Sequence, residues 1–64
     1  MSNEEMDRAY REDYALERDC RDAVRSLRAV LSHERKFNPD REATIREAIS
    51  LCQNTADHIV QVWG

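Results

Sequence analysis

The sequence predicts an all-α protein in which two helices fold into an antiparallel hairpin. One Gly and one Pro occur among the 64 residues, whereas β-rich and loop-rich folds need many turn residues. Residues 1–36 contain neither and are rich in Ala, Arg, Glu and Leu, which favour helix. From Ile45 to Trp63, apolar residues recur in alternating steps of four and three, the spacing of one helical face.

The first predicted helix covers about residues 3–36. Ser2 or Asn3 is a suitable N-cap, and the acidic residues that follow favour the positive end of the helix dipole. Its apolar residues fall within a sector of about 120°, wide enough for a core face. These residues are Leu16, Cys20, Ala23, Val24, Leu27, Val30 and Leu31.

The sequence Phe37-Asn38-Pro39 predicts a turn at 37–38 and a second helix over about 39–62. Pro39 disfavours helical geometry at the residue before it, so the first helix must end there. Asn38 is a good N-cap, and Pro39 suits the first helical position because its missing N–H costs nothing there. A short connection of this kind joins antiparallel neighbours.

The second helix is the shorter one, so it reaches back only to about residue 13 and the first dozen residues overhang. The predicted core and dimer residues are Leu16, Cys20, Leu27, Leu31, Ile45, Ile49, Cys52, Ile59 and Trp63. Further residues flank this seam and would stay exposed in a monomer: Val24, Leu31, Ala48, Leu51, Thr55 and Val62. We therefore expect a homodimer in which two hairpins form a four-helix bundle.

Cys20 and Cys52 are predicted at similar heights on the two core faces. Thiols of a cytoplasmic chain are more often free than bridged, and buried free cysteines behave as small hydrophobes. We expect two free thiols, with a disulfide as the alternative.

Several classes of function are disfavoured. The formal charge is −3, which argues against nucleic acid as a partner. The chain contains no apolar run of membrane-spanning length, and its first residues do not resemble a signal peptide, so a cytoplasmic location is expected. His33 and His58 lack metal-ligand spacing. Neither a catalytic arrangement nor a cofactor motif is present, so we expect no metal, no cofactor and no enzymatic activity.

Helix 1 carries residues that burial does not require. The candidate partner-binding residues are Met6, Tyr10, Tyr14, Arg18 and Arg21. Tyr and Arg are frequent at binding hot spots, and an aromatic strip on a helix suits docking into a partner's groove. The alternatives are a solvated face with i,i+4 ion pairs, packing against the dimer mate, and a phosphate-bearing ligand bound by Arg and Tyr.

The opening Met1–Tyr10, the Arg- and Asp-rich first helix and the Asn38-Pro39 break resemble small phage-encoded proteins that disable host machinery. The likeness is to the quorum-sensing anti-activator type from Pseudomonas phages. It implies a homodimer that acts in the host cytoplasm. Such a dimer binds and inhibits a host protein, for example a LuxR-type transcription regulator or a pilus assembly ATPase.

The stretch Pro39–Ile45, at the start of the second helix, is also similar to anti-defence proteins that sequester cyclic nucleotides. Three hypotheses follow. The first is a non-enzymatic protein-binding inhibitor. The second is a cyclic-nucleotide binder that uses the Tyr and Arg face, and the third is a purely structural dimer.

Overall fold

The computed structural model describes residues 3–64, which form two long helices. Helix α1 spans Asn3–Phe37 and helix α2 spans Glu42–Trp63, with a 3-10 turn at Pro39–Arg41 between them. No strand occurs in this part of the chain, so the predicted all-α class with two helices is confirmed. Helix α1 continues one residue beyond its expected end.

The two helices lie side by side and run antiparallel. Near the turn, Arg35 contacts Glu42; farther along, Arg21 contacts Asp57. At the opposite end, Trp63 contacts Asp13. Because α2 ends at this last contact, residues 3–12 of α1 extend beyond it as an overhang. The hairpin is correspondingly long and thin, with extents of 52 × 14 × 14 Å.

The connection differs in detail from the capping that the sequence predicts. Asn38 precedes the turn with φ −144° and ψ 69°, and its side chain makes no capping hydrogen bond. Its backbone carbonyl instead accepts a hydrogen bond of 3.1 Å from the amide of Arg41, and its own amide donates to the Glu34 carbonyl. Asn38 is therefore the N-cap residue, as predicted, but it caps the turn through its backbone carbonyl and not through its side chain. Pro39 does occupy the start of the new helical turn.

A small core lies between the helices. Its buried residues are Val24, Ile49, Ala56 and Ile59. Ala56 is fully buried, which places the shortest apolar side chain of the seam where the helices pack closely. Val24 was expected to flank the seam and stay exposed in a monomer; that expectation is wrong, because the residue points at α2 and is 7% exposed.

Most other predicted core residues are half-buried. They are Cys20, Leu27, Leu31, Ile45, Cys52 and Trp63. Both cysteines are free thiols. Leu16 is 48% exposed and is therefore not part of the core between α1 and α2. Its assignment to a dimer contact stays a prediction.

Candidate partner-binding surface

The hairpin has two long faces of different chemistry on either side of the seam. The face that we call the polar face contains the ion pair Arg21–Asp57 and the side chains of Arg25, Arg28 and Gln53. On the opposite side, helical spacing at about 100° per residue brings apolar side chains of both helices together. This apolar face consists of Leu16, Ala23, Val30, Leu51 and Val62.

The apolar face is largely uncovered. Leu51 and Val62 of α2 are 60% and 62% exposed, and Val30 of α1 is exposed as well. Leu16, Ala23 and Val30 are spaced by seven residues, so they form one row along α1, as in helices that pack against other helices. Ala23 in this row is half-buried, whereas Leu16, Val30 and the exposed α2 residues are largely uncovered within the hairpin.

An aromatic cluster closes the end of the hairpin opposite the turn. The Tyr10 ring lies 4.6 Å from that of Tyr14 and meets the Trp63 ring edge-on at 5.4 Å. The Trp63 indole Nε1 donates a 2.7 Å hydrogen bond to Asp13 Oδ2. Edge-to-face contacts of this kind stabilise aromatic pairs beyond their buried area. Tyr10 and Tyr14 are therefore not an isolated strip, because they help to hold the end of α2.

Met6 is the candidate residue nearest the free end of the overhang. It is exposed and lies one turn before Tyr10 on the same side of α1. Residues 3–12 carry four carboxylates against two arginines. The overhang is therefore an acidic helix segment with an apolar strip, and its contact with α2 is the one between Tyr10 and Trp63 at its inner end.

The two candidate arginines differ in their surroundings. The Arg21 Nε donates a 2.7 Å hydrogen bond to Glu17, and its Nη2 lies 3.3 Å from Asp57 on α2. The hydrogen bond to Glu17 is the largest cause that raises the pKa of Arg21 above its usual value, with Asp57 adding to it. Arg18 is exposed. Arg21 thus joins the two helices, whereas Arg18 faces solvent.

A groove opens on the polar face, farther along α1 than the tyrosines. It has a volume of about 350 Å³ and is lined by Arg21, Val24, Arg25, Arg28 and Gln53. Tyr10 and Tyr14 do not line it. The aromatic and basic residues that the sequence suggests as one surface therefore form two: the aromatic cluster at the hairpin end and the basic groove near its middle.

Ion pairs concentrate near the turn. The Glu42 carboxylate accepts hydrogen bonds of 2.8 and 3.0 Å from Arg46, and Arg35 of α1 lies 3.2 Å from it. The Arg46 hydrogen bonds are the largest cause that lowers the pKa of Glu42 below its usual 4.5. The buried Oε2 of Glu34 makes no hydrogen bond, but Arg41 lies 3.6 Å away. These contacts hold the two helix ends together.

Two features of these surfaces have no counterpart in the local sequence pattern. Asp13 accepts a hydrogen bond from Trp63 across 50 residues, and Gln53 lines the same groove as three arginines of the other helix. Neither pairing has a local sequence signal, although an antiparallel register aligned on the turn places Asp13 near residue 63.

Within residues 3–64, no group of side chains is suited to hold a metal ion. No helix in that range is long and apolar enough to cross a membrane. No protein-family model, curated protein or solved structure matches the chain.

Proposed function

We propose that the protein is a non-enzymatic protein-binding module that acts as a homodimer and docks its α1 overhang on a partner protein. The observation that carries this proposal is the overhang itself. Residues 3–12 form a helix although α2 ends at the level of Asp13. These residues continue the much longer α1 and so need no separate nucleation, and their side chains are available to a binding partner.

The homodimer is supported by the apolar face. Its exposed Leu16, Val30, Leu51 and Val62 side chains come from both helices. A chain of 64 residues whose described part, residues 3–64, buries four core residues has little hydrophobic stabilisation of its own. Two copies joined through this face form a four-helix bundle and cover these side chains. The seven-residue spacing along α1 suits such packing.

Sedimentation of the wild-type chain and of Leu51→Glu tests the dimer. We expect the wild type to sediment as a dimer at micromolar concentration and Leu51→Glu as a monomer, because a carboxylate would be buried without a partner. Asn54→Glu adds the same charge at an exposed position of α2 and should leave the dimer intact. A wild-type chain that is a folded monomer would contradict this part of the proposal.

The overhang fits a partner groove with an apolar floor and a basic rim. Met6 and Tyr10, four residues apart and both exposed, supply the apolar strip. The excess of carboxylates over arginines in residues 3–12 supplies the complementary charge. An amphipathic helix laid into a groove is a common mode of recognition. Arg18 lies farther along α1 and extends the surface, while Arg21 stays engaged with Glu17 and Asp57.

The class of partner comes from the sequence resemblance to phage-encoded anti-activators. On that basis the protein is an inhibitor of a host protein, with a LuxR-type regulator as first candidate and a pilus assembly ATPase as second. An inhibitor that covers a functional surface of its partner needs only to bind. A small chain with exposed helical surfaces is sufficient for that.

Operator binding by a purified LuxR-type regulator tests this proposal directly. We expect the wild-type chain to reduce DNA binding by the regulator and Met6→Glu to lose this effect. Met6 lies beyond α2, so its substitution should leave the thermal stability unchanged. Glu47→Ala, on the outer surface of α2, is the control that should inhibit like the wild type. Equal inhibition by Met6→Glu would place the binding surface elsewhere, and the same assay with a pilus ATPase separates the two partner classes.

A further inference from the structure

The groove on the polar face concentrates positive charge on an acidic protein. Three of its five lining residues are the arginines Arg21, Arg25 and Arg28, while the whole chain has a formal charge of −3. We propose that this groove binds the phosphate group of a small phosphorylated molecule. This inference goes beyond the protein-binding role and does not depend on it.

The charges of the three arginines are neutralised to different degrees. Arg21 is matched by two carboxylates, at 2.7 and 3.3 Å. The Arg25 guanidinium lies 3.8 Å from Asp22, the outer limit of an ion pair, and its side chain is 84% exposed. Arg28 forms no ion pair with any residue of the described range 3–64. Arg25 and Arg28 therefore provide the charge that an anion would meet.

The spacing of these two arginines favours a phosphate over a single carboxylate. Residues three apart on a helix are neighbours on its surface, so both guanidinium groups have the reach to meet one ligand. A phosphate ester carries a charge of about −1.5 to −2 at neutral pH and offers three acceptor oxygens. Planar guanidinium groups bind such oxygens in bidentate fashion. The charges of two largely unmatched arginines therefore match the charge of one phosphate group.

The rest of the groove suits an organic portion of the ligand. Val24 is a buried apolar side chain among the lining residues, and Gln53 contributes an amide that donates and accepts hydrogen bonds. The volume of about 350 Å³ falls at the lower end of the range of small-molecule sites, roughly 300–1,000 Å³. That is more room than a bare phosphate needs. The site lies opposite the apolar face, so dimerisation there leaves it open.

Calorimetric titration of the full chain with AMP, adenosine and inorganic phosphate tests the inference. We expect AMP to bind, adenosine to give no binding, and inorganic phosphate to bind more weakly than AMP. Arg25→Gln and Arg28→Gln should each weaken AMP binding at least about tenfold, as expected for hydrogen bonds to a charged group. Both side chains are exposed, so circular dichroism should show the helical content unchanged.

Arg8→Gln is the matched control, because it removes one arginine from α1 outside the groove. It should bind AMP like the wild type. An equal loss in Arg8→Gln and Arg28→Gln would overturn the site, since attraction to the protein's general charge would then account for binding. Absence of AMP binding at millimolar concentration would overturn it as well. AMP binding no tighter than that of inorganic phosphate would overturn the organic-ligand half of the inference.

Discussion

The polar and apolar faces of this hairpin are built from the same two helices, yet the surroundings of their side chains differ. On the polar face, Arg21 and Asp57 form an ion pair across the seam. Near the turn, Glu42 forms ion pairs with Arg35 and Arg46. On the apolar face, Leu51 and Val62 meet solvent. The contrast teaches that the polar face is partly matched by ion pairs within the chain, which leave Arg25 and Arg28 largely unmatched, while the other face leaves apolar area for a further molecule to cover.

The largest expected effect comes from a matched pair of substitutions on α2. Val62 belongs to the apolar face and is 62% exposed, whereas Val60 lies toward the polar face and is 39% exposed. If the apolar face is covered in a dimer, Val62→Glu should lower the free energy of unfolding by more than about 2 kcal/mol per chain. Val60→Glu should cost about 1 kcal/mol. Urea unfolding at several protein concentrations measures both.

The isolated hairpin predicts the reverse order for this pair, because Val60 is the less exposed of the two residues within it. If Val60→Glu lowered the free energy of unfolding more than Val62→Glu, and if the loss did not depend on protein concentration, the apolar face would not be a dimer interface.

The next effect concerns the aromatic cluster at the hairpin end. Trp63→Phe keeps an aromatic ring but removes the indole N–H that donates to Asp13. We expect a loss of roughly 1.5–3 kcal/mol in thermal or urea unfolding, because a hydrogen bond to a carboxylate is lost from a partly buried site. Asp13→Asn retains an acceptor oxygen and should cost less. Equal stability of Trp63→Phe and wild type would show that this contact does not hold the end of α2.

A smaller effect is expected from the ion pair that crosses the seam. Arg21→Gln removes the charge that faces Glu17 and Asp57. Because the Arg21 side chain is substantially exposed, the loss of stability should be smaller than that of Trp63→Phe. Salt screens exposed charges, so the difference from wild type should shrink at about 1 M salt. A difference that persists at high salt would indicate a packing role for the side chain instead.

The smallest effect is the contribution of Glu42 to the dependence of stability on pH. Its pKa is lowered in the folded protein, mainly by Arg46, so the folded state favours the carboxylate. This contribution is fully present above the usual pKa of 4.5 and is lost as the pH falls through the lowered value. Thermal unfolding of wild type and Glu42→Gln between pH 7 and about pH 3 should converge at the acid end. A gap that stays constant with pH would contradict the assignment.

The sequence predicts those parts of the fold that depend on periodicity and local chemistry. The stripe that includes Ile49, Ala56 and Ile59 is the buried side of α2, and Pro39 marks the junction because it excludes helix at the preceding residue. Val24 is mispredicted because α1 has a wide apolar sector, and only the position of α2 decides which part of that sector is covered. Periodicity identifies the apolar side of a helix, but the position of the neighbouring helix decides which residues of that side are buried.

The candidate sites are predictable to a lesser extent. Met6 stands out in the sequence as an apolar residue beyond the reach of α2. Tyr10 is expected there too, but in the structure its ring contacts Trp63 at the end of α2. The basic groove requires Gln53 to lie beside Arg21 and Arg28, which depends on the register of two antiparallel helices. Similarly, the Arg18 and Arg21 side chains differ because of Asp57, a residue far away in the sequence.

The single tryptophan of the chain lies where the overhang begins, in contact with Tyr10 and Asp13. Its fluorescence is therefore an intrinsic reporter for one end of the molecule. Separation of that end would expose the indole to water and shift its emission to longer wavelength, while far-ultraviolet ellipticity would still report intact helices. Docking of a partner on the neighbouring overhang would be visible in the same signal, so binding and local opening are measurable without an added label.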